Sequence, residues 1–138
     1  MELTRRNALM IGAGSILAFS LPLKARAAGE DEISAFTGGA DINDGGITLT
    51  APEIAENGNT VPIEVSAPGA TEIMVLALGN PTPSVATFKF GPLSGSRAAS
   101  TRIRLAGTQD VLAIAKMADG SFSKASSTVK VTIGGCGG

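Results

Sequence analysis

Short apolar runs punctuated by turn residues recur along most of this chain, and that rhythm confines it to a fold built from strands. Apolar and polar residues alternate at period two in several places. Ile47 and Leu49 alternate with Thr48 and Thr50; Val61, Ile63 and Val65 share one parity; Phe88 and Phe90 flank Lys89; Ile103 and Leu105 alternate with Arg102 and Arg104. Side chains two apart lie on one face of an extended strand, so each run predicts a half-buried strand. Residues 73–78 and 111–117 are apolar nearly throughout, as central strands covered on both faces are. Residues 129–133 alternate again and predict the last strand.

Between the runs lie residues that bend the backbone. Asn57-Gly58-Asn59 and Asp119-Gly120 predict reversals, and Asn80-Pro81-Thr82-Pro83 a stiff connection, since each proline fixes its own φ and restricts the residue before it. Pro62 predicts an edge or bulge position, because it cannot donate to a ladder. Residues 37–46, with Gly38, Gly39, Asn43, Asp44, Gly45 and Gly46, read as turn, residues 52–56 as a single helical turn, and Ser121-Phe122-Ser123 as a short hairpin arm. Residues 29–36 predict one or two turns of helix with acids at the positive end.

Seven or eight short strands with no long helical pattern predict an all-β, immunoglobulin-like antiparallel β-sandwich. No tryptophan is present and one cysteine cannot form an internal bridge, so the antibody hallmarks are missing and the packing must rest on Val, Ile, Leu and Ala. No internal repeat or second domain is visible.

The first 27 residues stand outside this pattern. Arg5-Arg6, an uncharged run over 8–21, and Ala25-Arg26-Ala27 have the anatomy of a cleavable leader, and the run is too short and too rich in Gly and Ser for an anchor. The paired arginines predict twin-arginine export, so residues 1–27 are expected to be a signal peptide and the product periplasmic. The remaining organisation is an N-terminal segment with a short helix (28–46), a sandwich domain (47–133) and a mobile arm (134–138).

Removing the leader takes away Arg5, Arg6, Lys24, Arg26 and Glu2, leaving seven basic and eleven acidic residues. A net negative chain without Trp or Tyr has no basic, aromatic-interleaved surface for nucleic acid. No apolar run remains that would span a membrane.

The chain contains no histidine, which removes Ser-His-Asp and Cys-His catalysis and the commonest metal ligand together. One cysteine cannot build a thiolate zinc site, and the scattered acids do not have the spacing of a calcium loop, so no metal and no cofactor are expected. Carboxylates such as Glu53 and Glu56 suit a solvated loop better than acid–base work. Arg102 and Arg104 fit an exposed or interface face, although that face could also guide an anionic group or partner.

What remains is the ending Gly134-Gly135-Cys136-Gly137-Gly138, which holds the chain's one cysteine. Glycine loses the most freedom on ordering, so all five residues are expected to be mobile. Two extended residues beyond the strand would carry the sulfur roughly 7 Å. An unperturbed thiol ionises near pH 8.5, and no base adjoins it in sequence. Cys136 is therefore an accessible thiol that a partner must activate. In an oxidising compartment an odd cysteine suggests intermolecular pairing or a reactive thiol. A structural or adhesion-type sandwich joined through Cys136 is the alternative.

The run Val129-Lys130-Val131-Thr132-Ile133-Gly134-Gly135-Cys136-Gly137-Gly138 resembles the C-terminus of the SoxY family, the sulfur-carrier subunits of the periplasmic sulfur-oxidising system. The segment Ala51-Pro52-Glu53-Ile54-Ala55-Glu56-Asn57-Gly58-Asn59-Thr60-Val61-Pro62 is similar to that family too, as are Asn80-Pro81, Val85-Ala86-Thr87-Phe88, Ser100-Thr101-Arg102-Ile103-Arg104-Leu105-Ala106 and Asp119-Gly120-Ser121-Phe122. The departures lie mainly in the leader and at Pro68-Gly69-Ala70-Thr71.

The resemblance implies a non-catalytic carrier in thiosulfate oxidation, with intermediates bound covalently to Cys136 on an arm of Gly134, Gly135, Gly137 and Gly138. It also implies a SoxZ-like subunit in a heterodimer or larger assembly. Transient docking to a c-type cytochrome, a sulfate-releasing hydrolase and a sulfur dehydrogenase would follow.

Overall fold

The computed structural model describes residues 29–135. Residues 1–28, which hold the expected leader, and Cys136, Gly137 and Gly138 lie outside the described residues. One helix, α1 (Glu30–Thr37), precedes nine strands: β1 (Ile42–Asp44), β2 (Thr48–Thr50), β3 (Ile54–Asn57), β4 (Val61–Ser66), β5 (Ala70–Ala77), β6 (Ser84–Lys89), β7 (Ala98–Ile103), β8 (Gln109–Met117) and β9 (Phe122–Ile133). The larger sheet has the order β1-β9-β8-β5-β6, with β3 also on β9, and the smaller has the order β2-β4-β7. The all-β sandwich expected from the strand rhythm is the fold.

The near-continuous apolar runs are explained by cover on both faces. From β5, Ile73, Val75 and Ala77 point into the core between the sheets, where they meet Val61, Ile63 and Val65 of β4 and Val111, Ala113 and Ala115 of β8. The intervening Met74 and Leu76 of β5 and Ile114 of β8 point the other way and pack with Phe122 under Ile33 and Phe36 of α1. Phe36 and Phe122 meet edge to face at 5.8 Å between ring centroids, an arrangement favoured by the ring quadrupoles. Glu30, Asp31 and Glu32 occupy the first turn of α1, where the backbone dipole favours negative charge. The helix ends at Gly38, whose positive φ of 64° lets its N–H donate back to Ser34 O at 2.8 Å.

Three local expectations are corrected. Residues 54–57 form strand β3 rather than a helical turn, because they pair in parallel with the end of β9 (Ile54 with Lys130, Ala55 with Val131, Asn57 with Ile133). Within the stretch read as turn, residues 42–44 form β1, parallel to the start of β9. Phe122 does not begin a separate arm. β9 is one strand of twelve residues, paired antiparallel with β8 from Phe122 to Val129 and with β3 beyond. The antiparallel frame thus carries two short parallel pairings, both on β9. Pro62 lies in the central strand of the smaller sheet, but β2 pairs only with residues 64–66, so no neighbour on that side asks Pro62 for an N–H.

Candidate functional site

The strand that carries the arm leaves the sandwich between two loops. β9 outlasts β8, whose register with it ends at Gln109–Val129, and the freed stretch turns to β3. Lys130 N–H donates to Glu53 O at 2.9 Å, and Val131 N–H to the Thr108 hydroxyl at 3.0 Å. The backbone contacts continue past the last strand residue. Gly58 N–H donates to Ile133 O at 2.7 Å, Leu105 N–H to Gly58 O at 2.8 Å, and Gly135 N–H to Leu105 O at 2.8 Å.

These bonds close a ring of backbone contacts in which Gly58 and Leu105 each donate once and accept once. Residues 133 and 135 are both held by it. The arm expected to move from Gly134 onward is therefore bound through Gly135.

The spacing is too close for side chains. A Cβ on Gly58 would collide with Leu105 O and come within 2.8 Å of Gly135 N and 2.9 Å of Val131 Cγ1. On Gly134 it would collide with Ala106 O, and on Gly135 it would come within 2.9 Å of Gly58 O. Gly134 and Gly135 are thus required for close backbone approach, not only for freedom of movement. Leu105 is fully buried, and its side chain belongs to the core between the sheets.

The two arginines separate. Arg102, in β7, lines an open groove of about 590 Å³ with Thr50, Pro52, Pro62 and Glu64. Arg104 lies beyond the strand, and its carbonyl accepts a hydrogen bond from the Asn80 amide at 2.8 Å. Sequence reasoning read Asn80 only as part of a stiff connection and did not single out Gln109, yet the two are buried and bonded to each other.

Among the described residues, no group of three or more His, Cys, Asp or Glu is placed to hold a metal ion, and no helix is long and apolar enough to cross a membrane. Asp119 lies in the turn before β9, at the far end of that strand from the arm. The Ser121 hydroxyl and then its backbone N–H, at 2.6 and 2.8 Å, bond the Asp119 carboxylate and hold it below its ordinary range.

The family model for sulfur oxidation protein SoxY matches residues 33–136, a span that ends on Cys136. This chain belongs to the SoxY family. The solved sulfur carrier protein SoxY from Chlorobium limicola f thiosulfatophilum is 38% identical, with a TM-score of 0.66 over 75% of this chain and 94% of that one. A superoxide reductase (neelaredoxin) from Ignicoccus hospitalis is 17% identical, with a TM-score of 0.56 over 63% of this chain and 80% of that one. A putative superoxide reductase from Thermotoga maritima is also 17% identical, with a TM-score of 0.52 over 70% and 89% of the two chains. Those two likenesses concern the fold alone. No curated protein matches the chain. Membership of SoxY makes this chain one of a family of sulfur-oxidation carriers.

Proposed function

We propose that the chain is a non-catalytic covalent carrier in thiosulfate oxidation, with Cys136 as the attachment point. The observation that carries this reading is the match to a sulfur-carrier family that runs up to Cys136, in a chain with no other cysteine and no histidine. A thiol suits the task because it forms and releases S–S bonds by exchange at sulfur.

In the loading step the Cys136 S–H bond is lost and an S–S bond to the sulfane sulfur of thiosulfate forms. One proton and two electrons leave, the electrons to a c-type cytochrome partner. The adduct is Cys136–S–S–SO₃⁻. A hydrolase then cleaves the S–SO₃⁻ bond with water, whose hydroxyl leaves on the sulfonate sulfur as bisulfate and whose other hydrogen stays on the persulfide Cys136–S–SH. The remaining sulfane sulfur stays bound to Cys136 while a sulfur dehydrogenase oxidises it: three waters supply the oxygens of Cys136–S–SO₃⁻, and seven protons and six electrons leave, the electrons to a c-type cytochrome.

No general base comes from the arm's own sequence neighbours, so each partner supplies its own. Holding the intermediate on the chain keeps its effective concentration high at each successive site.

In this reading a SoxZ-like subunit accompanies the chain, and the leader takes it to the periplasm by the twin-arginine route. The test is a strain whose only copy carries Cys136→Ser. Loss of thiosulfate-dependent oxygen uptake, with the folded protein still exported, is expected. Retained uptake would refute the carrier role.

A further inference from the structure

The ring of contacts around Gly58 is itself held by a buried amide pair. Asn80 Nδ2 donates to Arg104 O at 2.8 Å, while Asn80 Oδ1 accepts from Ala106 N–H at 2.9 Å and from Gln109 Nε2 at 2.8 Å. Gln109 Nε2 also donates to Gly107 O at 3.1 Å, and its Oε1 accepts from Gly79 N–H at 2.9 Å. Both side chains are buried, with relative exposures of 7% and 8%. Removing one partner from such a network leaves the others desolvated and unpaired, so it resists deformation.

The network grips residues 104, 106 and 107. The residue between, Leu105, contributes the carbonyl that receives Gly135 N–H and the N–H that binds Gly58 O. We propose that Asn80 and Gln109 are positioning residues for the carrier arm, acting through Leu105 and Gly58 to hold the backbone through Gly135, so that the carrier thiol sits one residue beyond a fixed point.

This rests on the carrier reading for its purpose, though not for its geometry. Adjacent Cα atoms are about 3.8 Å apart, so a pivot after Gly135 leaves less reach than one at the strand end. A partner must then dock against the loops at 57–60 and 104–107 themselves. Two residues fewer need ordering at each docking event, which favours tight, repeated engagement by partners.

The test is amide hydrogen exchange, residue by residue, on the full exported chain and on Asn80→Ala, Asn80→Asp and Gly134→Ala. In the wild type, Gly135 N–H is expected to exchange roughly a hundredfold more slowly than in an unstructured glycine peptide. Asn80→Asp keeps the volume and the acceptor but loses the donor to Arg104 O. It should cost at least about tenfold of that protection while the amides of β8 stay protected. Gly134→Ala, whose Cβ would collide with Ala106 O, acts on the arm side of the clasp and should bring Gly135 to within roughly threefold of the peptide rate.

Peptide-like exchange at Gly135 in the wild type would overturn the proposal. So would full protection retained in Asn80→Asp and, if it folds, in Asn80→Ala. The carrier reading fails separately. If no adduct forms on Cys136 in any of these proteins, the exchange pattern still stands and only its purpose is lost.

Discussion

At one end of the sandwich, Gly91 and Gly95 lie in the loop between β6 and β7, where an added Cβ would meet nothing within 4 Å. Leu93 beside them is 99% exposed, and Arg97 reaches back to Gly91 O at 3.0 Å from the surface. At the opposite end, Gly58, Gly79, Gly134 and Gly135 all sit against backbone or side-chain atoms, and a buried amide pair stands behind them. At the first end nothing near the glycines excludes a side chain. The second uses glycine to let strands and loops approach without side chains. A glycine-rich terminus is therefore a poor guide to mobility until its neighbours are known, because a missing Cβ serves freedom and close packing alike.

The comparison can be broken by substituting alanine at matched positions. Gly58→Ala is expected to destabilise the fold by about 1–3 kcal/mol, since its Cβ lands on Leu105 O and the clasp must open or shift. Gly95→Ala has open space and no positive φ, so it should change stability by less than about 1 kcal/mol, in the stabilising direction through the unfolded chain. Denaturant melts of the two variants measure the difference directly. Equal midpoints would erase the distinction between the two ends.

A smaller effect sharpens the description of the open end. Asp119, in the turn between β8 and β9, has its carboxylate below the ordinary range because Ser121 bonds the charged form. A lowered folded value means that the turn's contribution is present above the ordinary carboxylate range and is lost as pH falls through the folded value. Ser121→Ala removes the hydroxyl bond while keeping the backbone one, so the Asp119 midpoint should rise toward its ordinary value. Carboxyl titration followed by NMR reads this, and an unchanged midpoint would show that the hydroxyl does not act on Asp119.

Much of the fold was legible because burial follows local parity. The alternation at Val61, Ile63 and Val65 matches the inward face of β4, and the unbroken run at 73–78 matches a strand with core on one side and α1 on the other. β3 was not legible. Its extended form comes from partners more than seventy positions away, such as Lys130, whose N–H binds Glu53 O, whereas Pro52 and two glutamates look locally like the start of a helix.

The site divided in the same way. Cys136 stands out as the chain's one thiol. The clasp that ends at Gly135 does not, because Gly58, Asn80, Leu105, Gln109 and Gly135 come together only once both sheets are formed. Asn57-Gly58-Asn59 reads as an ordinary reversal, and nothing local marks the carbonyl of Leu105 as an anchor.

The carrier role is tested most directly by intact-protein and peptide mass spectrometry on the mature chain taken from cells oxidising thiosulfate. Sulfur and thiosulfonate additions confined to the Cys136 peptide, and missing from Cys136→Ser, are the expected result. Only unmodified thiol and Cys136–Cys136 dimers would contradict it.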